Sequence, residues 1–248
     1  MIVGVITNHD KDPGLSYTAQ VCEFLTGRGV KVATHGGLLT ASFWLILGGD
    51  GTMLQNSHVA ARHNIPLLGI NLGNLGFLTD AEKQNGLDSI ANVLAGKYKT
   101  EKRLMIQTQN NIALNDICIG TGGGLKAFSI SVNDTLIDTI RADGVVVSTP
   151  TGSTAYNLSA GGPILMPGGQ MMVVTPVCPH SIGIRPLVIG AEDTVEITPH
   201  QSTPLFIDGE NMGNTSESVH ICKSEFFATI MKTSATHLYE TLREKKIL

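Results

Sequence analysis

The chain has 248 residues, 42% of them hydrophobic and 15% charged, which is enough to bury an extensive core in one large domain or two modest ones. A formal charge of -4 argues against broad nonspecific nucleic-acid binding, which needs a clustered basic surface, but leaves a nucleotide ligand open. Cys22, Cys118, Cys178 and Cys222 are far apart and form no C-x-x-C pair, so neither a disulfide framework nor a zinc site is indicated and a reducing cytoplasm is the simpler setting.

Residues 2–6 read as a short buried strand. This start has no basic region followed by a long apolar stretch, and nowhere do 18 apolar residues run together, so neither export nor membrane spanning is expected. Residues 16–25 read as a helix with Val21, Phe24 and Leu25 on one side, 30–34 and 43–47 as strands, 53–63 as a helix, 66–70 as a strand and 87–94 as a helix. Such alternation calls for crossover connections and a parallel sheet covered on both faces, with ligands bound beyond the carboxyl ends of the strands. Residues 48–52 and 71–76 fall there.

From about residue 104 the pattern becomes one of short β-type runs separated by turn residues: 105–109, 115–120, 128–132, 135–142, 144–148, 171–175, 187–189, 194–198, 205–207 and 218–222. The expected organisation is an α/β N-terminal domain with a parallel sheet over residues 1–100, a β-rich C-terminal domain over 101–231, and a tail, 232–248, that is helical over 239–246 and lies against the first domain.

The densest local signal is Gly48-Gly49-Asp50-Gly51-Thr52, at the junction of a strand and a helix. Three glycines around one carboxylate leave the backbone N–H groups open to a bound anion, and the helix start adds unsatisfied donors. Asp50 can then act on a nearby hydroxyl or, through Mg²⁺, on phosphates, which suggests phosphoryl transfer. By shape alone the loop is also compatible with a plain tight turn. No G-x-x-x-x-G-K-[ST] loop occurs, so phosphate handling is expected to rest mainly on backbone and Asp50. A second dense segment, 143–156, crowds hydroxyls and small residues between Ser148 and Thr154, with Tyr156 and Ser159 at a helix start; taken alone it reads equally as a Ser/Thr-rich turn capping a helix.

Gly48-Gly49-Asp50-Gly51-Thr52, Gly69-Ile70-Asn71-Leu72-Gly73-Asn74-Leu75-Gly76-Phe77-Leu78, Ala113-Leu114-Asn115-Asp116, the segment 143–156 with Ser159-Ala160-Gly161-Gly162-Pro163-Ile164, and Thr175-Pro176-Val177-Cys178-Pro179-His180 occur in this order. Together they closely resemble the bacterial ATP-NAD kinase family over nearly the whole chain. The acidic glycine loop alone is shared with diacylglycerol, sphingosine and phosphofructokinase-type kinases, whereas the segment 143–163 is specific to NAD kinases.

The resemblance implies transfer of the γ-phosphoryl group of ATP, or of polyphosphate, to the 2′-hydroxyl of the adenosine ribose of NAD, with Mg²⁺ accompanying ATP. It puts Asp50 near that hydroxyl with Gly51 beside it, and Asn115 and Asp116 on the ribose hydroxyls. Asp116 departs from the commoner Asn-Glu pair by one methylene. Thr154, Ala155, Tyr156 and Ser159 are implied to line the adenine and nicotinamide pockets, Asp143 to partner the nicotinamide end, and Asn74 and Phe77 to lie in the nucleotide site, Phe77 near adenine or as an ordinary core aromatic. Arg141 either offsets phosphate charge or is a solvated strand residue. Asp208-Gly209 reads as a hairpin turn outside the site, and His180 as a packed or capping residue. Homodimers or homotetramers are implied. A lipid or sphingoid kinase is the runner-up, disfavoured by the small polar segment 143–159, and a noncatalytic NAD(P) sensor is the reading from a different class, disfavoured by Asp50.

Overall fold

In the computed structural model, which describes residues 1–34, 36–73, 76–233 and 238–247, the chain divides into two units, Met1–Lys102 with Ala228–Leu248, and Arg103–Phe227. The first unit runs β1 (Ile2–Thr7), α1 (Ser16–Thr26), β2 (Lys31–Ala33), β3 (Phe43–Gly48), α2 (Asp50–Arg62), β4 (Leu67–Asn71), β5 (Ala81–Glu82) and α3 (Gly86–Leu94). β1 pairs in parallel with β2 and β3, and β3 pairs in parallel with β4. Ile230 adds a further parallel bridge to Leu67.

Every residue of β3 and β4 is buried, as expected of parallel strands covered on both faces. Alternation decides which face each side chain serves. Val3, Val5, Leu45, Leu47, Leu68 and Ile70 join Val21 and Leu25 of α1 and Ile90 and Val93 of α3 in one cluster. On the other face Met53 of α2 packs where Gly69 has no side chain, since a Cβ there would stand 2.7 Å from the Met53 sulfur. Full burial of a Val, Leu or Ile contributes about 1.5 to 3 kcal/mol.

α2 begins at Asp50, three residues before the helical pattern read from the sequence. An acid in the first turn complements the partial positive charge of the helix start, so the loop residues 50–52 are drawn into the helix.

The second unit takes in β6 (Lys99–Thr108) from Arg103 onward, then β7 (Asn111–Ala113), β8 (Asp116–Gly120), β9 (Lys126–Val132), β10 (Thr135–Ala142), β11 (Gly144–Ser148) and the one-turn helix α4 (Tyr156–Ser159). There follow β12 (Met171–Val177), β13 (Leu187–Gly190), β14 (Val195–Pro199), β15 (Thr203–Ile207), β16 (Glu210–Thr215) and β17 (Val219–Lys232), which continues into the first unit. One antiparallel sheet has the order β13-β12-β11-β8-β15-β16. A second joins β10, β9, β14 and the start of β17. The two face each other across a core in which Ile117, Ile119, Val145, Val147 and Val174 meet Phe128, Ile130, Ile140, Val195 and Ile197.

Because side chains alternate along β8, Asp116 and Cys118 point away from that core. Cys118 packs instead with Val146, Val177 and Phe206 on the sheet's other face. That outer face carries the cavity described below. β16 is polar and exposed along most of its length, which is why its sequence carries no strand pattern. β17 runs for 14 residues where only 218–222 read as strand, since Lys223-Ser224-Glu225 interrupts the apolar alternation.

Candidate functional site

Glycine spacing at the end of β3 is dictated by close approach. A Cβ on Gly48 would stand 2.4 Å from the Thr52 hydroxyl, and one on Gly76 only 1.9 Å from Oδ1 of Asp50. The space at Gly76 lets the loop after β4 close on the acid: the Phe77 N–H donates to Asp50 Oδ2 at 2.7 Å and the Leu78 N–H to Oδ1 at 3.0 Å. That loop is itself braced, since the Gly76 N–H donates to the Thr79 hydroxyl at 3.1 Å and the Gly73 N–H to Asn71 Oδ1 at 2.9 Å. Asp50 is therefore a half-buried carboxylate fixed in one orientation at a helix start. Gly51, next to it, is exposed with open space where a side chain would stand. The half-buried Phe77 has the Lys245 ammonium 5.1 Å from its ring centroid. Asn74 lies outside the described residues.

In the second unit a cavity of about 270 Å³ is lined by Asn115, Asp116, Cys118, Thr121, Ala155, Tyr156, Phe206, Asp208 and Gly209. Asn115 and Asp116 are held at its wall from two sides. The Asn115 carbonyl accepts the Thr149 N–H at 2.9 Å and lies so close to Gly152 that a Cβ there would be 2.0 Å away. From the other side Asp208, in a left-handed conformation (φ 49°) at the β15–β16 turn, accepts three successive N–H groups: Leu114 at 2.8 Å, Asn115 at 2.7 Å and Asp116 at 3.0 Å. In return the Asp208 N–H donates to the Asp116 carbonyl at 2.9 Å. Asp208-Gly209 is thus a hairpin turn, as read from the sequence, and also the clamp on the Asn-Asp pair, a role that a dipeptide so common in turns does not advertise.

Burial, and then the nearby Asp208 charge, push the Asp116 carboxyl up to about 7. Burial and the neighbouring Asp116 push the Cys118 thiol up to about 12, so it behaves as an inert apolar lining group. The Tyr156 hydroxyl is also raised, first by burial.

Of the residues singled out in the sequence, Asn115, Asp116, Ala155 and Tyr156 share this cavity; Thr154, Ser159, Asp143 and Arg141 are not among its lining residues. Thr154 is half-buried, its hydroxyl donating to the Thr151 carbonyl at 3.3 Å, and Ser159 is exposed. Asp143 is half-buried between β10 and β11, with its N–H on the Val177 carbonyl at 2.9 Å. Arg141 is exposed, and its carbonyl accepts the His180 N–H at 2.8 Å. The side chain that organises segment 143–163 is Asn157, fully buried, which donates to the Ser153 and Pro163 carbonyls at 3.0 Å and accepts from the Thr175 hydroxyl at 2.7 Å. Its signal was Gly162, whose missing side chain makes room for that amide.

The ATP-NAD kinase N-terminal domain matches residues 39–98 and the ATP-NAD kinase C-terminal domain residues 114–233. An NAD kinase from Caldanaerobacter subterraneus subsp. tengcongensis is 34% identical, covering 98% of this chain and 98% of its own. An NAD kinase from Clostridium botulinum is 38% identical over 81% of this chain and 76% of its own. The crystal structure of an NAD kinase from Archaeoglobus fulgidus in complex with ATP has a TM-score of 0.88 at 26% identity, covering 98% of this chain and 99% of that one. Yeast NADH kinase complexed with NADH shares the fold, with a TM-score of 0.83 at 21% identity over 98% of this chain and 86% of that one. With the acidic glycine loop, the clamped Asn-Asp pair and relatives matched along almost its full length, the chain belongs to the ATP-NAD kinase family.

Proposed function

We propose that this protein phosphorylates NAD, transferring the γ-phosphoryl group of ATP, or of polyphosphate, to the 2′-hydroxyl of the adenosine ribose and giving NADP. The observation that carries this reading is Asp50, fixed by two backbone N–H groups at the start of α2 in a chain related to NAD kinases along 98% of its length. The 2′-oxygen forms a bond to the γ-phosphorus as the bond to the bridging oxygen breaks, ADP leaves with that electron pair, and the hydroxyl proton passes to Asp50. A carboxylate already held in one orientation brings its proton acceptor to the reaction without further ordering.

Asn115 and Asp116 hydrogen-bond the ribose hydroxyls, and Ala155 and Tyr156 in the same cavity pack against the base, supported by Thr154 and Ser159. Asp143 serves the nicotinamide end, Arg141 the phosphates, Phe77 the adenine and Gly51 the surroundings of Asp50, and Asn74 is assigned to the nucleotide site on the resemblance alone. The first unit thus carries the acid loop and the second is the NAD-binding domain. Mg²⁺ would be held by the donor phosphates together with Asp50, a half-buried carboxylate beside the open, exposed Gly51. The cation supplies charge neutralisation on the donor phosphates. Among the described residues no helix is long and apolar enough to cross a membrane. The compartment assigned on this reading is the cytoplasm, from the four scattered cysteines of the sequence. The exposed apolar side chains of Leu136, Ile137, Ile182 and Val188 suit a homodimer or homotetramer.

The test is an assay of purified protein with NAD, ATP and Mg²⁺, read out as NADP. Formation of NADP is expected; NAD binding without turnover would make the protein a sensor instead. Replacing ATP by polyphosphate identifies the donor.

A further inference from the structure

The loop between β1 and α1 places an ammonium group where no Walker motif announces one. Asn8 anchors this loop: its Oδ1 accepts the N–H groups of Asp10 at 3.1 Å and Lys11 at 3.2 Å, while its Nδ2 donates to the hydroxyl of Thr52, in the first turn of α2, at 3.2 Å. One residue beyond Lys11, the buried Asp12 accepts the Thr18 N–H at 2.8 Å and the Thr18 hydroxyl at 2.7 Å. With its backbone pinned on both sides, Lys11 extends over the acidic glycine loop. Its Nζ lies 2.6 Å from where a Cβ on Gly49 would stand and 3.9 Å from the same point on Gly73. Any side chain at position 49 would displace it.

A cation beside a helix N-terminus is the wrong sign for that end of the dipole, and the arrangement becomes favourable once an anion sits between them. Lys11 is exposed, and among the described residues it forms no ion pair with a carboxylate. Its charge is therefore available to a ligand. Asp50 lies one residue beyond Gly49, so an anion held by Lys11 would sit next to the acid assigned to the acceptor hydroxyl.

We propose that Lys11 is the cation that holds the terminal phosphates of the phosphoryl donor over Gly49. This rests on the phosphoryl-transfer reading above and names a residue for its donor side. Lys11 donates hydrogen bonds to phosphate oxygens and neutralises charge on them. It takes no part in the proton transfer, which stays with Asp50.

The test compares wild type, Lys11→Met and Lys11→Arg, with Lys97→Met as a control for the loss of one exposed positive charge. Binding of MgATP, inorganic tripolyphosphate and NAD is measured by calorimetry, alongside the KM values for ATP and NAD. A lost charge-assisted contact predicts that Lys11→Met binds ATP and tripolyphosphate about ten- to a hundredfold more weakly. NAD affinity should stay within about twofold, a split that general loosening of the fold would not produce. Lys11→Arg should keep most of the donor affinity and Lys97→Met all of it. Unchanged donor affinity in Lys11→Met overturns the assignment, as does equal weakening of NAD and ATP. Should Lys11→Met fail to fold, donor affinity in a folded Lys11→Gln decides by the same criteria. If the wild type binds tripolyphosphate through Lys11 yet makes no NADP, the acceptor reading falls and the Lys11 assignment stands.

Discussion

Each unit uses the same bond, backbone N–H to carboxylate, for opposite ends. In the first unit the loop at Phe77 and Leu78 holds a side chain, Asp50, so that the acid is fixed and the backbone serves it. In the second a side chain, Asp208, holds the backbone of Leu114, Asn115 and Asp116, so that two neighbouring side chains are fixed toward the cavity. Fixing one side chain requires a loop that reaches it. Fixing a neighbouring pair requires a clamp beneath it, and here the clamp, Asp208, also lines the cavity.

The sharpest way to break this comparison is at Asp50. Asp50→Asn keeps the shape but removes the proposed proton acceptor, and turnover should fall about a hundred- to ten-thousandfold. One of its two N–H contacts is lost as well, at a cost of about 1 kcal/mol, so the melting temperature should move little. Near wild-type turnover would show that the loop holds Asp50 for structure alone.

Gly152→Ala attacks the second unit from the opposite side to Asp208. Its Cβ would stand 2.0 Å from the Asn115 carbonyl oxygen, a backbone atom with little room to retreat. A loss of about 3 kcal/mol in urea unfolding is expected, together with weaker NAD binding. A variant with unchanged stability would mean that the 114–116 segment is not rigidly held.

Acidity sharpens the comparison further. Asp116, raised to about 7 by burial and by Asp208, keeps a proton in the folded protein that the unfolded chain has already released. Its contribution to stability is thus complete below about pH 4 and is lost as pH rises through about 7. Urea midpoints measured from about pH 5 to 8 should decline with pH, Asp116→Asn should flatten that decline, and Asp208→Asn should move it to lower pH. A decline that persists in Asp116→Asn would assign it to other groups. The smallest effect is expected for Asn115→Ala, which removes one proposed ribose contact worth about 0.5 to 1.5 kcal/mol and should raise the KM for NAD several-fold with kcat nearly unchanged.

What the sequence disclosed, and what it withheld, follows from the range of the interactions. The α/β alternation of the first unit was legible because parallel strands buried on both faces are continuously apolar, as 43–47 and 66–70 are. The β-rich character of the second unit was legible from its short alternating runs and turns. β16 escaped because it is exposed and polar, and the start of α2 because an acid next to glycine reads as loop. At the sites, Gly48-Gly49-Asp50 announced itself through composition, whereas Asp208, Asn157 and Lys11 did not. Their significance lies in partners distant along the chain: Leu114 for Asp208, Thr175 for Asn157, Gly49 for Lys11.

That range also sets an order of events during synthesis. Asp50 finds its partners 27 and 28 residues later, but the loop that carries them also leans on Lys232, whose ammonium donates to the Thr79 carbonyl 153 positions away. The Asp208 clamp joins residues 92 to 94 positions apart, and the Asn-Asp segment has no hold on it from that side until the β15–β16 hairpin emerges. A nascent chain stalled short of residue 208 would carry the Asp50 contacts to Phe77 and Leu78 without the Lys232 contact to Thr79 that braces their loop, and a cavity without its Asp208 wall. Both the acid loop and the cavity are therefore completed by residues made late, Lys232 for the one and Asp208 for the other.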